Sequence, residues 1–160
     1  MVWILAVVAL GMAGCTDFTA DRGEAYDCAC GVFTWNDREL NMRMAEFEAI
    51  DSVNFRYHIV ADLRSDDAIE SRVDPSDVVL TFTTSFEGNS ANFTYTEEND
   101  FLTLEQIDAP GVGSSWTVTN AEFSISATDT THNVMMTSLN ASRGGNVVTA
   151  AGDFYCAFND

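Results

Sequence analysis

Val53-Asn54-Phe55-Arg56-Tyr57-His58-Ile59-Val60-Ala61-Asp62-Leu63 alternates apolar and polar side chains almost without a break. Successive side chains on a strand point to opposite faces, so Val53, Phe55, Tyr57, Ile59, Ala61 and Leu63 share one face and Asn54, Arg56, His58 and Asp62 the other. That is the pattern of a half-buried strand. The same period of two continues on both sides. Upstream, Leu40, Met42 and Met44 alternate; downstream, Val78, Leu80, Phe82 and Phe86 are set against Thr81, Thr83 and Ser85.

Further strands are expected at residues 91–97, 101–107, 116–127, 134–140 and 147–158. Between them lie turn-forming clusters such as Glu87-Gly88-Asn89-Ser90, Asp129-Thr130-Thr131-His132-Asn133 and Arg143-Gly144-Gly145-Asn146. Within 116–127 the apolar parity moves from Trp116 and Val118 to Phe123 and Ile125, which predicts a bulge near Asn120. Residues 64–76, with Asp66, Asp67, Glu70 and Pro75, lack strand character and read as a loop or short helix. The fold class is all-β: a single antiparallel meander of about nine strands over residues 28–160, closed as a β-barrel or folded as a β-sandwich.

The apolar run from Val2 to Gly14 carries no charged side chain. As a helix it would reach about 20 Å, well short of a hydrocarbon core of about 30 Å. Residues 1–14 therefore read as a signal peptide. Its end, Met12-Ala13-Gly14-Cys15, resembles the lipobox of bacterial lipoproteins, although no Lys or Arg precedes it. The resemblance implies cleavage before Cys15, lipidation of Cys15 and attachment to the membrane through the N-terminal lipid. A diacylglyceryl group with a further acyl chain holds far more firmly than the marginal grip of one myristoyl chain. Thr16, where inner-membrane retention would place Asp, implies the outer membrane, on its periplasmic face or at the cell surface. Residues 15–27 are the lipidated cysteine and a polar, flexible tether. The stretch from Gly113-Ser114-Ser115-Trp116 to Gly152-Asp153-Phe154 is similar to the closing strands of small bacterial lipoproteins with calycin-like β domains. That likeness transfers no catalytic residue.

Charge excludes one class of partner. The chain has 25 acidic residues against seven Arg and no Lys, for a net charge of −18. Such a surface repels phosphate backbones, so nucleic-acid binding is not expected.

With Cys15 lipidated, Cys28, Cys30 and Cys156 remain as disulfide candidates. Cys156, near the C-terminus, is expected to bond to Cys28 or Cys30, which would tie the first strand to the last. The alternative is a redox pair or soft-metal thiolate site, but no neighbouring cation lowers the thiol pKa.

No nucleophile elbow, zinc-binding His-Glu-x-x-His helix or phosphate loop occurs. His58 falls on a polar strand face and His132 in a turn, so both read as solvated side chains rather than general bases. Calcium candidates are Glu97, Glu98 and Asp100, and separately Asp62 with Asp66 and Asp67. Phe55, Tyr57, Phe82, Phe123 and Phe154 read as core, and no set of aromatics exposed together is evident. The expectation is a non-catalytic, lipid-anchored protein of the bacterial cell envelope, without a cofactor, displaying a β domain for binding or scaffolding with an envelope protein partner. The alternative is a carrier of a small apolar ligand inside a β-barrel, with Met42, Met44, Met135 and Met136 lining a cavity or filling core gaps.

Overall fold

The computed structural model describes residues 28–97, 101–109 and 112–159. Residues 1–27, which include Cys15 and the stretches expected to be a signal peptide and a tether, and the calcium candidates Glu98 and Asp100 lie outside the described residues. The strands are β1 (Gly31–Trp35), β2 (Arg38–Ala49), β3 (Asn54–Asp62), β4 (Asp77–Ser85), β5 (Ser90–Thr96), β6 (Leu102–Ala109), β7 (Val112–Ala127), β8 (Thr131–Arg143) and β9 (Asn146–Phe158). One short helix, α1 (Asp66–Glu70), lies between β3 and β4.

Of the two all-β architectures, the chain adopts the barrel. The ladders run β1-β2-β3-β4-β6-β7-β8-β9, and β9 returns to β1, so eight strands close a ring. β5 is the ninth strand and stands beside β7. Local turn chemistry sets the hairpins. Asn36 and Asp37 adopt φ of 49° and 62° between β1 and β2, while Gly144 and Gly145 adopt 57° and 87° between β8 and β9. Positive φ at both central residues gives a turn twist that matches that of the strands. The expected bulge is present: the β7–β8 register shifts between Val118 and Asn120.

Inward side chains fill the ring. Phe33, Tyr57, Ile59, Leu80, Leu104 and Phe154 have no surface open to water, and Met42 and Met136 are buried among them. The methionines therefore split by strand parity, since Met135 faces outward and is exposed. At one end of the core Trp35 meets Trp116 edge-on at 5.5 Å, with the Arg143 guanidinium 4.4 Å over the Trp116 ring.

Residues 64–76 contain the short helix that their composition allows. Ser65 caps α1 by accepting from the Ala68 N–H at 3.3 Å, and Asp66 and Asp67 sit in the first turn, where the helix dipole favours acid. The expected oxygen cluster of Asp62 with Asp66 and Asp67 does not form. Asp62 is fully buried, and its carboxylate is taken by Arg64, whose Nη2 lies 2.6 Å from Oδ2. Asp66 Oδ1 instead accepts from Asn41 at 2.9 Å. A buried carboxylate needs such a counter-charge, because leaving it unpaired costs several kcal/mol.

Candidate functional site

The barrel wall is split along part of its height. β6 pairs antiparallel with residues 112–116 of β7, and β5 pairs antiparallel with residues 120–126 of the same edge. β5 and β6 therefore run in one direction, end to end, as a single rail interrupted between Thr96 and Leu102. β4 pairs with β6 only from Asp77 to Phe82, and the Thr83 N–H then donates to the Phe101 carbonyl at 2.9 Å. Beyond that point, among the described residues, no ladder joins β4 to β5. The gap is a cleft of about 390 Å³.

Aromatic side chains make its apolar surface. Phe82, Phe93, Tyr95 and Phe101 line it together with Leu102. Phe82 is held rigidly, with its ring stacked on Tyr57 at 4.6 Å and tilted against Phe123 at 4.6 Å. Phe93 stacks on the other part of that cluster, 4.9 Å from Phe123 and within 10° of parallel. Phe101 stands at the lip, 67% exposed. The polar side is supplied by Asn54, Thr83, Thr84, Ser85 and Thr94, and the Ser85 hydroxyl donates to Asn54 Oδ1. Among the described residues no lining side chain carries a charge. That lining of rings, hydroxyls and an amide suits a neutral ligand with an apolar face and hydrogen-bonding edges.

Sequence reasoning missed this set of aromatics. Phe82 and Phe123 are core, as expected, but Phe93, Tyr95 and Phe101 converge on one opening. The signal was slight: in sequence, Phe101 is separated from Phe93 and Tyr95 by the polar stretch Glu97-Glu98-Asn99-Asp100.

The two histidines separate. His58 is part-buried and its Nδ1 lies 3.0 Å from the Thr81 hydroxyl on β4. His132 contradicts the expectation of a solvated turn residue, because the turn is shorter than its composition suggests. The Thr128 hydroxyl and N–H both reach the Thr131 carbonyl at 2.9 Å, so β8 starts at Thr131 and points His132 inward. There it is only 3% exposed, stacked on Phe47 at 3.7 Å, with Tyr57 Oη 2.7 Å from its Nδ1. Burial lowers the His132 pKa and raises that of Tyr57. Tyr57 therefore keeps its proton and the imidazole is neutral, so one hydrogen bond between two uncharged groups joins them. The pair lies under the aromatic cluster rather than in the cleft, so it orders the core beneath the site.

The cysteines also depart from expectation. The structure joins Cys28 to Cys30 and leaves Cys156 as a buried thiol. Register supplies the reason. Gly31 faces Phe154 across the β1–β9 ladder and the Tyr155 N–H donates to the Cys30 carbonyl. Cys30 therefore lies beside Tyr155 rather than beside Cys156. Burial pushes the Cys156 thiol up to about 12. Among the described residues no group of three or more His, Cys, Asp or Glu side chains converges to hold a metal. Glu97 is exposed in the turn after β5.

These shifts set a pH dependence. His132 has a depressed folded pKa, so its contribution to stability is intact above about 6.5 and is lost as pH falls through the folded value. Cys156 has a raised one, so its contribution is intact below 9.0 and is lost as pH rises toward about 12. Urea unfolding free energies measured from pH 7 to 5 should fall more steeply for wild type than for His132→Gln. Parallel slopes would mean that His132 is not buried neutral.

Neither a scan against protein-family models nor searches of curated proteins and of solved structures finds a match to this chain.

Proposed function

We propose that this chain is a non-catalytic bacterial envelope lipoprotein, anchored by lipid on Cys15 and tethered through residues 15–27, whose barrel binds a small neutral ligand in the cleft between β4 and β5. The observation that carries the binding part is the uncharged, aromatic-lined opening in a wall that is otherwise closed by backbone ladders. The ligand site thus moves from the interior of the barrel, which side chains fill, to a gap in its side. Binding rather than catalysis is favoured because, among the described residues, the cleft lining offers no carboxylate, imidazole, thiol or amine for acid–base work. The anchoring part rests on the resemblance of Met12-Ala13-Gly14-Cys15 to a lipobox.

The test uses the full-length chain expressed in a bacterial host. A neutral environment-sensitive dye, N-phenyl-1-naphthylamine, should bind it, and Phe101→Ala should weaken binding about tenfold, the loss of roughly 1–2 kcal/mol of ring contact. Because Phe101 is exposed, folding should be unaffected. Cys15→Ser should abolish both the acyl mass and membrane partitioning. Unchanged dye affinity in Phe101→Ala would remove the cleft from the reading, and an unmodified wild-type mass would remove the anchor.

A further inference from the structure

Charge is distributed unevenly around the barrel. Outward side chains on β2, β3, β4 and β6 include Glu39, Arg43, Glu46, Arg56, Asp77 and Glu105. On the other side, the outward positions of β1, β9, β8, β7 and β5 are Ser, Thr, Asn, Ala and a few large apolar residues, with charge only at Glu122 and Asp153. The sequence carries the same asymmetry, since residues 112–159 hold only Glu122, Asp129 and Asp153 of the 25 acidic residues.

Within this face the large apolar side chains are neighbours. Val32 on β1 pairs with Asp153 on β9, which pairs with Met135 on β8, and Tyr155 lies two residues along β9 opposite Asn133. Val32, Met135 and Tyr155 are 41%, 46% and 50% exposed.

We propose that this face is where two copies of the chain dock. A partner of opposite charge would be recognised by carboxylates, yet carboxylates are nearly excluded here and crowd the opposite side. A face of that kind suits a partner that is itself acidic, and a second copy carries the same −18. A two-fold arrangement sets the same patch against itself, so the apolar side chains of one copy meet those of the other. The available area is sufficient. β9 and β8, of 13 residues each, and β1, of five, present roughly 500 Å² at about 3.4 Å per residue and a strand spacing of about 4.8 Å. Twice that is about 1,000 Å², the least that a specific interface needs.

The test is site-specific photo-cross-linking of the full-length chain in its host membranes. A benzoylphenylalanine in place of Met135 should yield a product of twice the chain mass, and the same probe in place of Arg56, on the charged side, should not. Adding Tyr155→Asp to the Met135 probe chain should lower the doubled product at least tenfold. Both positions are outward and exposed, so folding is preserved, as circular dichroism would verify. No product from position 135, or a product of any other mass, overturns the proposal, as does an equal yield from position 56.

Discussion

Gly31→Ala is expected to lower the melting temperature by at least about 10 °C, or to prevent folding altogether. Gly31 holds φ at 128°, a conformation that L side chains rarely adopt. Holding such a backbone conformation costs a non-glycine residue about 1–3 kcal/mol. A Cβ there would also lie 2.1 Å from the Asp153 carbonyl oxygen and 2.8 Å from the Phe154 Cα. Both are backbone atoms of the strand with which β1 closes the ring, so neither can move without opening the seam. The combined penalty is roughly 3 kcal/mol or more, against a total stability of about 5–15 kcal/mol for an ordinary domain. Each kcal/mol shifts the melting point of a domain this size by roughly 3–5 °C. Thermal denaturation followed by circular dichroism measures it, with Gly88→Ala as the control. Gly88 also has positive φ, at 82°, but a Cβ there meets nothing within 4 Å. Equal losses in the two variants would show that the close approach of β1 to β9 contributes nothing.

Phe82→Ala should cost about 3–5 kcal/mol of unfolding free energy, the usual range for deleting a buried aromatic ring. The ring is 1% exposed and touches Tyr57, Phe93 and Phe123, all of which would face the resulting void. It also forms the floor of the cleft, so dye binding should fall with stability. Phe101→Ala separates the two effects, because it removes contact area at the lip and leaves the core intact. Urea titration of both variants checks this. A loss under about 1 kcal/mol in Phe82→Ala would mean that the neighbouring rings collapse freely onto the space.

Strands were legible where one face is buried. The alternation through Phe55, Tyr57 and Ile59, and the parity change around Asn120, are local consequences of which side chains face the core. Ring closure was not legible, because the pairing of Gly31 with Phe154 joins residues at opposite ends of the chain and leaves no periodic trace. His132 was misread for a different reason. Asp129-Thr130-Thr131-His132-Asn133 has turn composition throughout, but only its first part turns, and the inward position of His132 follows from hydrogen bonds between Thr128 and Thr131. The cleft was hidden because its lining comes from four separate segments and depends on β4 and β5 not pairing. Hairpin logic applied to Ser85 and Ser90 would have sealed it.

The seam between β1 and β9 also imposes an order in time. The Thr34 hydroxyl donates to the Ala151 carbonyl at 3.1 Å across a separation of 117 residues. By contrast, β7, β8 and β9 follow one another through short turns and can zip as they emerge. Because loop closure must come before such distant contacts reward it, the ring is expected to seal last, on the millisecond-to-second scale of topologies rich in non-local pairing. Until then the first strand synthesised waits with one edge bare, a natural template for aggregation. Mutual repulsion among chains of net charge −18 keeps those waiting edges apart, which gives the acidity of this protein a role during its assembly as well as after it.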